Sequence, residues 1–303
     1  MSHAATPAVV VAAKISPELR GRLGEAYRLV EFADLDAPAP GLKVVVTNSV
    51  TGFSAAQMAV LPDLALITCN GAGADAIDLA EAARRGIAVD LSRDAVSRDT
   101  ADYAIALMFA TVRQVAQGDR FLRAGRWGPE RMGAVPRISS LTVGVVGLGR
   151  IGSLVARKAE GVGMTVRYTG PSPKPGVAWP YDPTPRALAA NCDVLVLTLP
   201  GGAATRGVVD APVLAALGPH GYLINVSRGS VVDEAALLDA LSRGAIAGAG
   251  LDVFENEPAI NMAFTAFDNV VLTPHMAGVT HEARADMAEH IRAAVDAFFA
   301  AGG

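Results

Sequence analysis

Three side chains that could act together on a small acid occur in separate short motifs of the second half of the chain. Arg228 follows Asn225-Val226-Ser227, Glu257 lies about thirty residues later, and His275 follows Thr273-Pro274. A guanidinium binds a carboxylate through two parallel hydrogen bonds. A carboxylate beside an imidazole orients the ring and favours its charged form, which can then donate a proton. The three types of group are therefore suited to binding a carboxylic acid through its carboxylate and donating a proton to another atom of the same molecule.

Each of these residues also has an ordinary explanation when it is taken alone. Arg228 could be a surface residue at the start of a helix, Glu257 a solvated loop carboxylate, and His275 a hydrogen-bonded core histidine after a strand. The order of the motifs and their chemical fit favour a catalytic set.

A glycine-rich segment precedes them and has the spacing of a dinucleotide-binding turn. It follows the apolar run Val143–Val146 and leads into a helical run, Ile151–Glu160. In this context the first glycine permits a tight turn, the second lets a pyrophosphate approach the backbone, and the third allows close packing of helix on sheet. The helix start then offers amide donors to the phosphates. The cofactor contacts predicted in this segment are Gly147, Gly149, Arg150, Ile151 and Gly152.

The residues after the next strand bear on which dinucleotide is bound. A site selective for NAD normally has Asp or Glu at the end of that strand, but the segment after Met164–Tyr168 contains none as far as Lys174. Ser172 and Lys174 could bind a 2′-phosphate, so the sequence favours NADP(H) and leaves use of NAD(H) open. The loop has no arginine, which is the better phosphate ligand, so solvated loop residues with loose selectivity are the alternative.

Bulk composition restricts the class of protein. The chain has 303 residues, of which 51% are hydrophobic and 18% charged, with a net charge of −4 and no basic runs. It is long enough for two domains, and general nucleic-acid binding is not expected. No apolar run is long enough to cross a membrane and the N-terminus lacks an export pattern, so we expect a cytoplasmic protein. Cys69 and Cys192 are expected to be free thiols, and no metal site is indicated.

Short apolar runs alternate with helical stretches, which predicts parallel sheets covered on both faces. Two longer helices are predicted at Thr100–Leu122 and His281–Ala300. The predicted strands are Val9–Ala13, Val44–Thr47, Leu64–Cys69, Ile87–Val89, Val143–Val146, Thr165–Tyr168, Val194–Thr198, Tyr222–Asn225, Gly248–Leu251 and Val270–Leu272.

With these motifs in view, the chain resembles the D-isomer-specific 2-hydroxyacid dehydrogenase family, from about Val44 to Phe299. It is closest in pattern to the glyoxylate/hydroxypyruvate reductases, including the hydroxyphenylpyruvate-reducing branch. The segments that carry the resemblance are Gly147-Leu148-Gly149-Arg150-Ile151-Gly152, Asn225 to Asp233, Gly250-Leu251-Asp252-Val253-Phe254 through Glu257-Pro258, and Thr273-Pro274-His275.

The resemblance implies NAD(P)H-dependent reduction of a small 2-keto acid to the D-2-hydroxy acid. Arg228 would bind the substrate carboxylate, His275 would bind the substrate and donate the proton, and Glu257 would orient His275. Ala72 and Gly73 would present backbone amides to the substrate carboxylate.

The resemblance also implies contacts that the residue pattern alone does not. Thr100, Asp252 and Gly278 would lie beside the cofactor, with Asp252 at the nicotinamide carboxamide. The rest of the substrate would face Asn48, Thr51 and Phe53. Trp127 and Met132 would lie near the contact of a homodimer, although a structural role for the aromatic residue is an equal alternative.

The fold implied is α/β, with two Rossmann-like or flavodoxin-like doubly wound parallel-sheet domains and a cleft between them. Residues 1–96 with 281–303 would form the substrate-binding domain, and residues 97–280 the dinucleotide-binding domain.

Three alternatives remain. A D-3-phosphoglycerate dehydrogenase would share the catalytic residues but more often has the acidic residue at the strand end. A formate dehydrogenase of the same fold has Gln at the position of Glu257. The third alternative, a dinucleotide-sensing scaffold without significant turnover, would be separated from an enzyme by turnover of any keto acid.

Overall fold

The structure is a computed structural model that describes residues 6–303, and the chain forms two compact units. The first consists of the N-terminal part up to Val96 together with Val279–Gly303, and the second is Ser97–Gly278. The sequence predicted that the chain returns to the first unit after residue 280, whereas in the structure it returns after Gly278.

The first unit is built on a parallel five-stranded sheet. Its elements are β1 (Ala8–Val11), α1 (Pro17–Gly24), β2 (Arg28–Glu31), β3 (Val44–Asn48), α2 (Ala55–Val60), β4 (Leu66–Asn70), α3 (Leu79–Arg84), β5 (Ala88–Leu91) and the C-terminal helix His281–Ala300. The strand order is β2-β1-β3-β4-β5, which is the order of flavodoxin-like sheets.

Side chains from both faces of this sheet are buried. Val45 on the central strand β3 is fully buried, as expected for a parallel strand covered by helices on each side. Leu19 of α1 and Ile291 of the C-terminal helix belong to the core on one face. Met58 of α2 belongs to the core on the other face.

The second unit has a parallel six-stranded sheet. Its elements are α4 (Ser97–Val112), α5 (Val115–Arg123), β6 (Thr142–Val146), α6 (Arg150–Gly161), β7 (Thr165–Thr169), α7 (Pro185–Ala189), β8 (Val194–Leu197), α8 (Ala211–Leu217), β9 (Tyr222–Asn225), α9 (Glu234–Ser242), β10 (Gly248–Leu251) and β11 (Val270–Leu272); the C-terminal helix named above is α10. The strand order β11-β10-β9-β8-β6-β7 reverses direction between β6 and β8. Ligands of open α/β sheets bind at the carboxyl ends of the strands at such a point.

Two doubly wound parallel sheets confirm the expected fold class, and α10 begins and ends at the predicted residues. The prediction of one helix over Thr100–Leu122 is wrong, because α4 and α5 are separate helices. Gln114, just before α5, has a φ of 52°, and a left-handed residue interrupts the helical hydrogen-bond series. The sequence prediction also missed α1 and the edge strand β2.

Within residues 6–303, no helix has both the length and the apolar character needed to cross a bilayer.

Candidate active site

The glycine-rich turn joins β6 to α6 at the point where the strand order reverses. Gly147 has a φ of 93°, which a side chain would strain. A Cβ on Gly152 would lie 2.2 Å from the carbonyl oxygen of Gly147, whereas a Cβ on Gly149 would meet no other atom of the described chain within 4 Å. No side chain caps the first amides of α6. The backbone therefore leaves room and donors for a pyrophosphate, with Arg150 and Ile151 in the first helical turn.

The loop after β7 lies beside this turn, because β6 and β7 pair in parallel and the Gly147 N–H donates to the Thr169 carbonyl at 3.0 Å. Ser172 and Lys174 are exposed on the loop. The loop carries no carboxylate that would repel a 2′-phosphate. A serine hydroxyl and a lysine ammonium fit a phosphate group there, so the residues present are compatible with NADP(H).

Arg228 lies in a turn after β9 that the side chain of Asn225 holds in place. Asn225 Nδ2 donates to the Arg228 carbonyl at 3.0 Å, and Asn225 Oδ1 accepts from the Ser227 N–H at 3.0 Å and from its hydroxyl at 2.7 Å. The half-buried Arg228 donates from Nη1 to the Ser227 carbonyl at 2.7 Å. At the next residue, a Cβ on Gly229 would lie only 1.8 Å from the carbonyl carbon of Phe254. The arginine turn therefore packs backbone to backbone on the segment that leads to Glu257.

Glu257 and His275 are in direct contact. Glu257 Oε2 lies 2.6 Å from Nδ1 of His275, and Glu257 Oε1 accepts from the Phe254 N–H at 2.8 Å. The Glu257 side chain is 26% exposed and that of His275 40%. Burial by itself would raise the pKa of Glu257, but hydrogen bonds from His275 and Phe254 and the charges of His275 and Arg228 outweigh it, and the net pKa is lowered. The carboxylate is therefore ionised at neutral pH, so Nδ1 of His275 is the donor, and Nε2 takes no part in this contact.

Asp252, at the end of β10, fixes the turn that carries His275. Its carboxylate is fully buried and accepts from the Thr273 hydroxyl at 2.7 Å and from the amides of Met276 and Ala277, each at 2.9 Å. The Asp252 carbonyl accepts from the His275 N–H at 2.8 Å. These bonds hold the His275 backbone at a φ of 49°, so the backbone that carries the imidazole is fixed at the end of β10. The predicted contact of Asp252 with the nicotinamide stays a prediction.

Two more predicted cofactor contacts lie in this unit. Thr100 is buried in the first turns of α4, and Gly278 is the last residue of the unit, three positions after His275. Among residues 6–303, no group of three His, Cys, Asp or Glu side chains could hold a metal ion.

Ala72 and Gly73 lie in the first unit, in the loop after β4. The Gly73 N–H, which was predicted to bind substrate, donates to the hydroxyl of Ser49 at 3.3 Å. Ser49 also packs against Gly71, where a Cβ would lie 2.1 Å from the Ser49 oxygen. Ser49 therefore shapes the loop that carries these amides.

Comparison with known proteins identifies the family. Residues 105–277 match the family model for the D-isomer specific 2-hydroxyacid dehydrogenase, NAD binding domain. The 2-ketogluconate reductase of Gluconobacter oxydans is 38% identical over 97% of this chain and 96% of its own length. The chain belongs to the D-isomer-specific 2-hydroxyacid dehydrogenase family. It is thus an NAD(P)-dependent oxidoreductase, as the sequence predicted.

Two further similarities extend over nearly the whole chain. Glyoxylate/hydroxypyruvate reductase A of Arabidopsis thaliana is 36% identical over 96% of this chain and 95% of the relative. The crystal structure of an NADPH-dependent glyoxylate/hydroxypyruvate reductase from Sinorhizobium meliloti, in complex with NADP and malonate, has a TM-score of 0.91. It is 39% identical, with 97% of this chain and 94% of that chain covered.

The structure of the dehydrogenase corrects one predicted substrate contact. Phe53 is fully buried in the core of the first unit, with its ring centroid 5.2 Å from that of Phe32, so it cannot face a substrate. Thr51 is exposed, and Asn48 accepts the amides of Val50 and Thr51 at 3.0 and 2.7 Å. Asn48 therefore caps this loop, and the contact of Asn48 and Thr51 with substrate stays a prediction.

Trp127 and Met132 lie on an exposed apolar surface of the second unit. Trp127 is 68% exposed and Leu122 57%. They surround a pocket of about 310 Å³, lined by Gly118, Phe121, Leu122, Trp127, Arg131 and Met132. Apolar side chains this exposed and this close together are typical of an interaction surface.

Sequence reasoning missed Ser49 and Glu234. The Glu234 carboxylate accepts the N–H of Glu255 at 2.8 Å and so holds the segment that precedes Glu257. Burial raises the pKa of Glu234. In the sequence, Glu234 looks like an ordinary acidic residue in the first turn of a helix, and nothing nearby marks its contact with Glu255.

Proposed function

We propose that this dehydrogenase reduces a small 2-keto acid of the glyoxylate or hydroxypyruvate type to the D-2-hydroxy acid, with NADPH as the preferred cofactor. The observation that carries the proposal is the 2.6 Å contact between ionised Glu257 and His275, beside Arg228. Relatives that match nearly the whole chain are named as reductases of glyoxylate, hydroxypyruvate and 2-ketogluconate.

The roles of the three residues follow from their chemistry. Arg228 binds the substrate carboxylate and polarises the keto oxygen with its guanidinium. His275 donates the proton on Nε2 to the keto oxygen as the carbon is reduced, and Glu257 holds the ring through Nδ1. The reduced nicotinamide, when bound, supplies the hydride. His275 then recovers a proton from solvent, so each turnover consumes one hydride and one proton.

We assign the remaining predicted contacts by unit. The second unit would hold the cofactor through the glycine turn, with Thr100, Asp252 and Gly278 at the nicotinamide end. The Ala72 and Gly73 amides would bind the substrate carboxylate, as the family resemblance implies. Because the Gly73 N–H already donates to Ser49, substrate would share or displace that bond, while the Ala72 amide remains the first choice of donor.

The preference for NADPH rests on Ser172 and Lys174 and on the absence of a carboxylate in their loop. The relative from Sinorhizobium meliloti is described as NADPH-dependent and binds NADP. Replacing Lys174 by alanine should weaken NADPH binding and leave NADH binding nearly unchanged.

Initial rates with purified protein test the reaction. Glyoxylate, hydroxypyruvate, phenylpyruvate, pyruvate and 2-ketogluconate would each be supplied with NADPH and with NADH. Rapid oxidation of NADPH by one of the first two would support the proposal. Faster turnover with NADH would retain the enzyme and reject the role of Ser172 and Lys174. Cofactor binding with no turnover of any acid would support the dinucleotide-sensing scaffold instead.

We also propose that the protein is a homodimer that buries the apolar surface around Leu122 and Trp127. Leu122→Asp should convert the dimer into a monomer in sedimentation velocity. Val50→Asp is the matched control, because Val50 is 74% exposed but lies in the other unit. A wild-type monomer would refute the proposal. The cytoplasmic location remains a prediction of the sequence; among the described residues, Cys69 and Cys192 form no disulfide.

A further inference from the structure

Two tyrosine hydroxyls hold the two ends of the loop from Gly170 to Lys174. Tyr181 Oη donates to the Gly170 carbonyl at 3.0 Å, and Tyr168 Oη accepts the Lys174 N–H at 2.8 Å. The two ring centroids are 5.4 Å apart. The loop that carries the proposed phosphate ligands is therefore fixed at its start and at its end by one pair of side chains.

The tyrosine pair is itself firmly anchored. Tyr168 is 2% exposed, its N–H donates to the Pro180 carbonyl at 3.0 Å, and its carbonyl accepts from the Asp182 N–H at 2.9 Å. Arg167 donates two hydrogen bonds to the buried Asp182 carboxylate, each at 2.9 Å. The segment that carries Tyr181 is thus joined to β7 on both sides of the tyrosine.

Ser172 and Lys174 differ from their anchors in being exposed. A long flexible side chain loses rotamer freedom when it binds a ligand, and a mobile backbone beneath it would add to that loss. Fixing the backbone of the loop in advance reduces the entropic cost of binding through it.

We propose that Tyr168 and Tyr181 are positioning residues that set the preference for a cofactor with a 2′-phosphate, by holding the Gly170–Lys174 loop beside the glycine turn. The inference rests on the proposed use of NADPH. It assigns the preference to two residues that do not themselves need to touch the cofactor.

The inference is specific because NADPH and NADH share every group except the 2′-phosphate. Loosening the loop should therefore weaken NADPH binding, while contacts at the glycine turn keep NADH binding nearly unchanged. A merely structural role of the tyrosines would weaken both cofactors together.

The test measures dissociation constants for both cofactors by fluorescence titration of Tyr168→Phe and Tyr181→Phe. Each change keeps the ring and removes one hydroxyl. We expect the Kd for NADPH to rise by up to about tenfold, the limit set by the loss of one hydrogen bond, and the Kd for NADH to change by less than about twofold. Tyr222→Phe is the matched control, because Tyr222 is also a buried tyrosine of the same sheet, on β9.

A second readout needs no cofactor. Hydrogen exchange of the Lys174 amide should be faster in Tyr168→Phe than in wild type and unchanged in Tyr222→Phe. Tyr181→Phe should speed exchange in the same loop, which keeps the inference testable if one variant fails to fold.

Combining Tyr168→Phe with Lys174→Ala separates the inference from the proposal on which it rests. If the tyrosine acts through the loop, it should add less to the NADPH Kd once Lys174 is absent than it does in wild type, because only Ser172 then remains as a proposed phosphate ligand. A wild-type preference for NADPH that Lys174→Ala abolishes, but that both tyrosine variants retain, overturns the inference alone. A wild type without that preference overturns the proposed NADPH site, and the inference fails with it.

Discussion

Replacing Glu257 by glutamine tests whether its carboxylate acts on His275 through charge. The carboxylate now accepts from Nδ1 of His275 with one oxygen and from the Phe254 N–H with the other. Glutamine has one oxygen for these two donors, so its NH₂ group must face one of them. The variant is close in shape but lacks the negative charge that faces Nδ1 of His275.

The size of the effect follows from the strength and the exposure of this contact. A hydrogen bond to a charged group contributes roughly 1.5–3 kcal/mol. Because the His275 side chain is 40% exposed, water screens part of the interaction. We therefore expect the lower part of that range, about 1.5–2 kcal/mol, which corresponds to a loss of roughly tenfold to thirtyfold in kcat/KM for keto-acid reduction.

Steady-state kinetics at saturating cofactor, together with cofactor titration, would measure the effect. The control is Glu255→Gln, since the exposed Glu255 side chain pairs with Arg206 at 3.1 Å. The reasoning is refuted if Glu257→Gln keeps kcat/KM within about twofold of wild type. It is also refuted if cofactor affinity falls as much as turnover does.

Three further predictions concern the same site. His275→Asn should lose roughly a hundredfold to ten-thousandfold in turnover with little change in cofactor Kd, whereas His281→Asn, at the exposed start of α10, should behave as wild type. Gly229→Ala should lower the free energy of unfolding by about 3 kcal/mol or more in denaturant titration, because its Cβ would overlap backbone; Gly161→Ala, where a Cβ meets nothing within 4 Å, should not. Burial raises the pKa of Glu257, but hydrogen bonds outweigh burial and the net pKa is lowered. The Glu257 charge should therefore stabilise the fold fully above pH 4.5, the usual pKa of a glutamate. That stabilisation should be lost as pH falls through the lowered pKa. The Tm difference between wild type and Glu257→Gln should accordingly shrink as pH falls below 4.5, and a difference that grows in that acid range would contradict it.

The parts of the fold and site that were predictable are those with local signatures. The turn at Gly147 and the strand before it are contiguous in sequence, and parallel strands covered on both faces are continuous apolar runs. A start signal for α1 is also present in the sequence, since Ser16 caps the helix and Pro17 is its first residue. The half-buried edge strand β2 has no such continuous run.

The parts that were not predictable depend on contacts between distant residues or on backbone geometry without a marker. The break at Gln114 contains neither Gly nor Pro, so apolar helical spacing continues through it. Phe53 lies in a loop whose sequence does not show which side chains turn inward. The bonds of Tyr168 and Ser49 to backbone groups form only once separate segments are packed together.

The left-handed turn at His275 has a consequence for substrates of the proposed size. If the substrate had to order this turn on binding, part of its binding energy would be used for that step. Each non-hydrogen atom of a ligand supplies at most about 1.5 kcal/mol of binding energy. A two- or three-carbon acid has few such atoms. Because the buried Asp252 carboxylate holds the turn through three hydrogen bonds, His275, the proposed proton donor, is preorganised when the chain folds. Nearly all the binding energy of a small acid then remains for its transition state.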